Sequence, residues 1–442
     1  MSVKYFCAPE AGPMYRITTK IGYLPLALGL SYILFTLFLF FISPFPWPID
    51  DLSRLAVYMT AVFLALIAGY LFGSYSFKRK PQPLNYGRFI IIGGVASVVL
   101  LIPSSYVYAG RWPWQVLEAL ADQNAAYKSL GDQITEGSLS RAPIILVRTL
   151  LAPFIFCVIP LSVINWGKLK TIHKVSLLAT IISSIIFSVL RGTTREVADI
   201  FIMLFSSIII LQFRQLSGET KFKFSTFYRN TAIVAFTLML VIFSLNSRTG
   251  SRLGAYAKIC IGDSGICADN LSPVNNLIPD SAYFLFSTVT GYFSQGYYGL
   301  YLSLNRDFES SLGLGHSPAL LSLFKAFFNV EHLYTRTYIH RNHLSLWSAD
   351  YQWSTMATWI ANDIGFAGTL VVFVMLGAVW ARSWYQAVFS HNDRAAVFFC
   401  VVMMMIFYFP ANNQMMATLD SYATTLFWLV YWMSGRKQTC AT

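Results

Sequence analysis

The sequence predicts an all-α integral membrane protein. Three observations carry that reading: apolar runs long enough to cross a bilayer, a scarcity of charge, and basic residues gathered in alternate connections. Of 442 residues 56 % are hydrophobic and 12 % charged, with a mean hydropathy of +0.55. A soluble domain carries about 25 % charged residues. A helix needs about 20 apolar residues to cross the hydrocarbon core, and ten stretches are candidates: 21–43, 54–76, 88–108, 143–165, 174–190, 197–213, 231–247, 365–387, 395–411 and a short last one, 421–434. No internal repeat, low-complexity tract or soluble domain boundary interrupts them, so 1–442 reads as a single polytopic membrane domain.

Residues 1–20 are polar, and the apolar run after them is too long for a signal-peptide core and lacks a small-residue cleavage site. The first span is therefore expected to stay as a signal-anchor. Ten spans put both termini on one side. With the N-terminus in the cytoplasm, the inner segments are 1–20, 77–88, 166–174, 214–230, 382–394 and 435–442. They hold eighteen of the 32 basic residues and three of the 20 acids. That is the positive-inside pattern. It accounts for the net charge of +12 without nucleic acid as a partner.

The outer segments are then 44–53, 109–142, 191–196, 248–364 and 412–420. Segment 109–142, with Trp112 and Trp114 followed by Leu117 and Leu120, reads as a short amphipathic helix at the interface, a packing lid or a substrate gate. The large loop 248–364 holds four of the six histidines. Within it, 282–303 is apolar but broken by Gly291, Ser294, Gln295, Gly296 and Gly299, which suggests an interfacial or re-entrant helix. Cys260 and Cys267 sit there with turn formers between them. An outer compartment allows a local disulfide between them, a better reading than metal binding because no histidine or second cysteine pair lies close.

Two groups of residues could carry chemistry. The first is the turn Arg191-Gly192-Thr193-Thr194-Arg195-Glu196, with Asp199 beyond it. Charges at the mouth of a bundle are expensive unless they are paired or face a wet cavity. If the turn is helical, Arg191 and Arg195 share a face, and two guanidinium forks suit a diphosphate. The alternative is ion pairing that merely closes the turn. Arg148, within the fourth span, either snorkels outward or lines the same cavity. Arg248 and Arg252 leave the seventh span on the outer face, where the positive-inside rule disfavours a basic pair.

The second group lies in the large loop. Around His340-Arg341-Asn342-His343 and Trp347-Ser348-Ala349-Asp350-Tyr351-Gln352-Trp353, aromatics, amides and titratable groups are interleaved. Sugar rings stack on aromatic faces while their hydroxyls bond polar groups, and a histidine or aspartate can deprotonate an acceptor hydroxyl. His340 and His343 lack the glutamate and spacing of a zinc-protease helix, so no metal site is expected. His316, framed by glycines, is a further candidate base. Phosphate-loop, dinucleotide, nucleophile-elbow and Asp-x-Asp patterns are all missing from the sequence. No cofactor is called for.

At these residues the chain resembles the Wzy-type oligosaccharide repeat-unit (O-antigen) polymerases of bacterial envelopes. The passages that carry the likeness are Arg191-Gly-Thr-Thr-Arg195, Gly296-Tyr297-Tyr298-Gly299-Leu300 with Gly313-Leu-Gly-His316, and Trp353-Ser-Thr355 running into Trp359-Ile-Ala-Asn362-Asp363-Ile-Gly365. A large periplasmic loop before the last spans belongs to the same plan, and O-antigen ligases share it. The resemblance implies an inverting, metal-independent glycosyltransferase of the GT-C type in the bacterial inner membrane. Its donor would be a chain on undecaprenyl diphosphate and its acceptor a lipid-linked repeat unit, with a flippase and a chain-length regulator as partners. Mapped onto this sequence, Arg191, Arg195, Arg248, Arg252 and Arg341 would hold the diphosphate. His340, His343, Asp350 or His316 would be the base, and Tyr297, Trp347, Trp353 and Trp359 would cradle sugars. An O-antigen ligase or other lipid-linked transferase, and a polysaccharide exporter or flippase, are the competing readings.

Overall fold

The computed structural model describes residues 21–75, 84–127, 141–217, 224–253, 259–269, 272, 274, 277–328, 330–348 and 352–434. These residues form α1 (Leu24–Ile42), α2 (Ser53–Tyr75), α3 (Tyr86–Ala109), α4 (Val116–Ala121), α5 (Ala142–Ile164), α6 (Thr171–Leu190), α7 (Arg195–Ser217) and α8 (Phe224–Leu253). After these come α9 (Asp280–Leu304), α10 (Pro318–Phe328), α11 (Glu331–Thr335), α12 (Tyr338–Arg341), α13 (Met356–Phe389), α14 (Asp393–Phe407), α15 (Gln414–Ala417) and α16 (Leu419–Met433). The protein is an all-α, multi-pass membrane architecture.

Among the described residues eight helices are long and apolar enough to cross a membrane: α1, α2, α3, α5, α6, α7, α8 and α13. The sequence suggests ten. The two C-terminal stretches instead form helices of 15 residues, α14 and α16, about 22 Å each at 1.5 Å per residue. The hydrocarbon core measures about 30 Å. Pro410, which has no N–H to donate, and Asn412, whose φ is +66°, end α14. Short as they are, α14 runs from Asp393 beside Arg214 to the turn at Asn412 beside Ser354, and α16 from Asp420 beside Arg148 to Trp432 beside Gln386.

The segments that the charge pattern reads as inner meet at one end of the bundle. Trp384 donates to the Ile21 carbonyl at 3.2 Å, Arg214 pairs with Asp393 at 3.0 Å, and Asn165 donates to the same carboxylate at 3.2 Å. The outer segments meet at the other end. Asp269 N–H reaches Pro44 O at 2.8 Å, Ser354 N–H reaches Asn412 at 2.9 Å, and Arg195 reaches Gln414 O at 3.0 Å. The alternation of charge along the chain thus corresponds to two separate ends.

Helix α9 is one continuous helix of 25 residues, and its contacts fit the interfacial alternative. Near its N-terminus Tyr283 donates to Asp269 O, which adjoins Pro44. Near its C-terminus Tyr301 accepts from Asp50 N–H and Leu304 O accepts from Arg54. Both ends therefore touch the α1–α2 connection. A 25-residue helix is about 37 Å long, so this one lies across the outer half of the bundle rather than through it. Its middle is sealed by Tyr297, wholly buried and bonded to Thr36 of α1 at 2.8 Å.

Helices α2 and α13 pack through glycines. A Cβ on Gly69 would collide with the Val374 carbonyl, one on Gly73 with that of Ala378, and one on Gly377 with that of Leu66. Between membrane helices such close approach replaces the missing hydrophobic drive. Helix α13 breaks at Gly365, with φ +70° and ψ 168°, a backbone region that favours glycine. The break falls where the sequence places the start of the eighth span. Residues 356–364 before it include the buried Asn362, which bonds Tyr338 N–H and the Gly315 carbonyl. Cys260 and Cys267 are joined in a disulfide whose hairpin buries Ile259, Ile261 and Ile266 in the main core.

Two stability outcomes are expected. Gly69→Val should remove most folded protein, because neither backbone can retreat, and detergent-phase thermal melting would register it. Cys260→Ser should cost about 2–3 kcal/mol, the entropy of a short closed loop, while both thiols of the unmodified chain stay unreactive toward alkylation without reductant.

Candidate functional site

The turn between α6 and α7 is built by its glycine. Gly192 has φ +61°, its N–H reaches Val189 O at 3.0 Å, and Thr193 N–H reaches Ser188 O at 3.0 Å. This is a Schellman C-cap, which needs a left-handed residue after the helix. The turn is therefore not helical. Arg191 ends α6 and Arg195 begins α7, and the chain reversal, rather than a shared helix face, brings both into one cavity.

That cavity, about 180 Å³, lies among α5, α6, α7, α14 and α16, at the end of the bundle where the segments read as outer meet. Its mouth is lined by Arg148, Arg191, Arg195, Glu196, Asp199, Asp420 and Tyr108, and its floor by apolar side chains such as Ile155, Phe156, Ile159, Ile200, Met203 and Met404. Arg148 is thus turned inward. Its guanidinium lies 4.3 Å from the Phe187 ring centre and that of Arg191 4.9 Å, so two cations share one aromatic ring. Burial pulls the Arg191 guanidinium below its ordinary pKa, and Glu196 opposes that shift.

Each cation has a carboxylate. Arg191 pairs with Glu196 at 2.5 Å, Arg148 with Asp420 at 2.5 Å, and Arg195 with Asp199 at 3.8 Å. Asp199 also accepts from Tyr408 at 2.7 Å. The pairing is incomplete in one respect. Among the described residues the Nε–H of Arg191 is buried without a hydrogen-bond partner, and a buried orphan donor costs about 1–3 kcal/mol. A set of three guanidinium groups with a spare donor, above an apolar floor, fits an amphiphile with an anionic head.

His316 stands beside this cavity. Its Nδ1 is 2.9 Å from Asp363 Oδ2. The same carboxylate accepts three backbone N–H groups, from Gly313 at 3.0 Å, Gly315 at 2.7 Å and His316 at 2.8 Å. The connection leading to α16 links His316 to the arginines: Asn413 donates to His316 O at 3.1 Å, and the next residue's carbonyl accepts from Arg195. The His316 ring is 6.0 Å from that of Tyr422, which follows the cavity residue Ser421.

The structure does not gather the remaining candidates here. Arg341 binds Glu309 at 2.9 Å and the Asp307 carbonyl at 2.7 Å, away from the cavity, with Arg306 beside it. His340 packs on Tyr334 with ring centres 4.9 Å apart, and His343 is exposed. Arg248 and Arg252 lie on the C-terminal part of α8, with side chains outside the described residues. Asp350 also lies outside them.

Three of the four aromatics are in the core. Tyr297 bonds Thr36, and Trp347, 1 % exposed, donates to Trp353 O at 3.0 Å. Trp359 donates to Asn412 at 3.1 Å. Their rings are packed among protein, as amphipathic rings with a bonded polar tip are. Trp353 alone of the four is only half-buried, edge-on to Tyr292. Among the described residues no group of three or more His, Cys, Asp or Glu side chains could hold a metal.

Asp420, Asp363 and Tyr408 are the site residues that sequence reading missed. Asp420 was legible by the rule that singles out Arg191, an acid between apolar stretches. Asp363 lay in a passage that carries the resemblance but was given no role, and Tyr408 had no local signal. Comparison with protein-family models, curated proteins and solved structures gave no match.

Removing one member of a buried pair strands the other. Glu196→Ala is therefore expected to destabilise the fold by about 3 kcal/mol or more. The double variant Arg191→Ala/Glu196→Ala should recover most of that loss, measured by unfolding in detergent.

Proposed function

We propose that the chain is a membrane glycosyltransferase that polymerises oligosaccharide repeat units carried on undecaprenyl diphosphate, at the outer face of a bacterial cytoplasmic membrane. The observation that supports it most is the cavity: three arginines, one with an unused buried donor, over an apolar floor. A lipid diphosphate has that polarity, with its charge at the membrane surface and its tail in the bundle. A soluble nucleotide sugar has no use for the floor.

In this reading an acceptor hydroxyl attacks the anomeric carbon of the donor chain from the face opposite the diphosphate. A new C–O bond forms as the bond from that carbon to the diphosphate oxygen breaks, and the configuration inverts. The diphosphate keeps the electron pair, and Arg148, Arg191 and Arg195 stabilise the charge that develops on it. With its Nδ1–H given to Asp363, His316 has Nε2 as a proton acceptor for the attacking hydroxyl. Trp353, partly exposed, offers a face to a sugar ring. No metal enters the scheme. The concentration of charge at one end of the bundle, rather than along many helices, favours transfer at a surface over export through a channel.

The test is reconstitution of the purified protein with lipid-linked repeat units in the presence of EDTA, with products resolved by length. A ladder is expected. Transfer only after addition of a lipid A core acceptor would replace polymerase by ligase, and no transfer to either acceptor would overturn the reading. Arg191→Ala or Arg195→Ala should lower turnover about 100-fold to 1,000-fold while the protein still inserts. His316→Ala should cost a comparable factor, within the 10²–10⁴ range typical of general bases.

A further inference from the structure

We propose that Asp420 stands in for the ligand's anionic head on Arg148, and that exchange of one for the other releases the connection 408–418. The inference rests on the diphosphate reading above.

The three carboxylates of the cavity are not held alike. Glu196 shares one turn with its partners, Arg191 at 2.5 Å and the Thr193 hydroxyl at 3.0 Å. Asp199 keeps the Tyr408 hydroxyl at 2.7 Å whatever becomes of Arg195. Asp420 has only Arg148 Nε at 2.5 Å and Thr149 Oγ1 at 3.2 Å as side-chain partners among the described residues. Both belong to α5, whereas Asp420 begins α16, so this contact spans the cavity. Asp420 also sits in the first turn of α16, where the helix dipole favours an anion.

The connection before Asp420 is held at several further points on the same end of the molecule. Asn412, at φ +66°, gives its side-chain oxygen to Ser354 N–H at 2.9 Å and to Trp359 at 3.1 Å. Asn413 donates to His316 O, Gln414 O accepts from Arg195, and Met416 O accepts from Ser317 at 2.6 Å. A diphosphate bridging Arg148 and Arg195 competes with two of these ties at once, Asp420 and the Gln414 carbonyl. With those two broken, 412–416 is still tied to the His316 loop by Asn413 and by Ser317 to Met416 O, and to Ser354 by Asn412. The stretch through Asp420 has then lost its contacts with the arginines. Occupancy of the anion site is thereby coupled to the segment that touches the candidate base.

The probe is farnesyl diphosphate, which carries the headgroup on a short prenyl tail, added to the full-length protein in detergent. Binding and amide hydrogen exchange over 408–421 are both read. Farnesyl diphosphate should bind the unmodified protein and speed exchange over 408–421. In Asp420→Asn that stretch should exchange fast before any addition. This variant should bind the probe about tenfold tighter, within the range of ordinary site–site couplings, and show no further change in exchange. Thr149→Val, a milder variant should Asp420→Asn not fold, should tighten binding about threefold, the scale of one hydrogen bond. If the unmodified protein binds the probe while 408–421 exchanges no faster, Asp420 remains on Arg148. The exchange idea then fails and the diphosphate reading stands. Absence of binding to the unmodified protein would overturn both.

Discussion

Three guanidinium groups in one cavity at the end of a membrane bundle need three counter-charges, and that constraint organises the outer half of this protein. Their carboxylates tie together parts of the chain that apolar packing alone would leave free to slide. Arg191 and Glu196 close the α6–α7 turn, and Arg148 with Asp420 ties α5 to α16. Asp199, between Arg195 and Tyr408, ties α7 to the end of α14. Lipid tails are as apolar as leucine, so helices in a bilayer gain little by hiding apolar faces from them. Close packing and polar ties carry more of the specificity. Here glycines serve α2 and α13, and ion pairs serve the helices around the cavity.

The two ends of the bundle use the same chemistry differently. At the inner end Arg214 donates to Asp393 and to the Ala387 carbonyl at 2.7 Å, and Asn165 shares the carboxylate. That set centres on one buried arginine, 9 % exposed, and joins α5, α7 and the α13–α14 connection. The outer set surrounds a cavity. Its arginines stack on Phe187 and Tyr108, which leaves a fixed positive lining that needs little reorganisation to receive an anion.

Much of this was legible in the sequence. Span positions follow from apolar length, and the separation of the two ends follows from the basic connections, because both depend on local composition. The Arg-Gly-Thr-Thr-Arg turn was legible as a site, though not its geometry. A left-handed Gly192 was needed to make the two arginines converge, and helical spacing gave the right neighbours for the wrong reason. The shortness of α14 and α16 was obscured because Met403–Phe409 is as apolar as a span interior; Pro410 and Asn412 mark the end only when read as a turn. The aromatic block around Trp347 misled for another physical reason. Tyr, Trp and polar partners are what a sugar site needs, and also what a buried ring with a bonded tip needs, and composition does not separate the two.

His316 shows what long-range structure adds to a motif. Gly313-Leu-Gly-His316 carries no chemistry by spacing alone. In the fold its three N–H groups converge on Asp363 from forty-seven or more residues away. Gly313 has φ +84°, and a Cβ on Gly315 would press into Asn362 and Ser311. Asn362 fixes the other side of the loop, accepting Tyr338 N–H at 2.9 Å and donating to Gly315 O at 3.0 Å. The break at Gly365 lets residues 362 and 363 face this loop while the rest of α13 runs on as a membrane helix. A carboxylate held by three backbone donors keeps its place whether or not a ligand is bound. The imidazole it orients is therefore set by the backbone, and the arginine cavity is the part of the site left to respond.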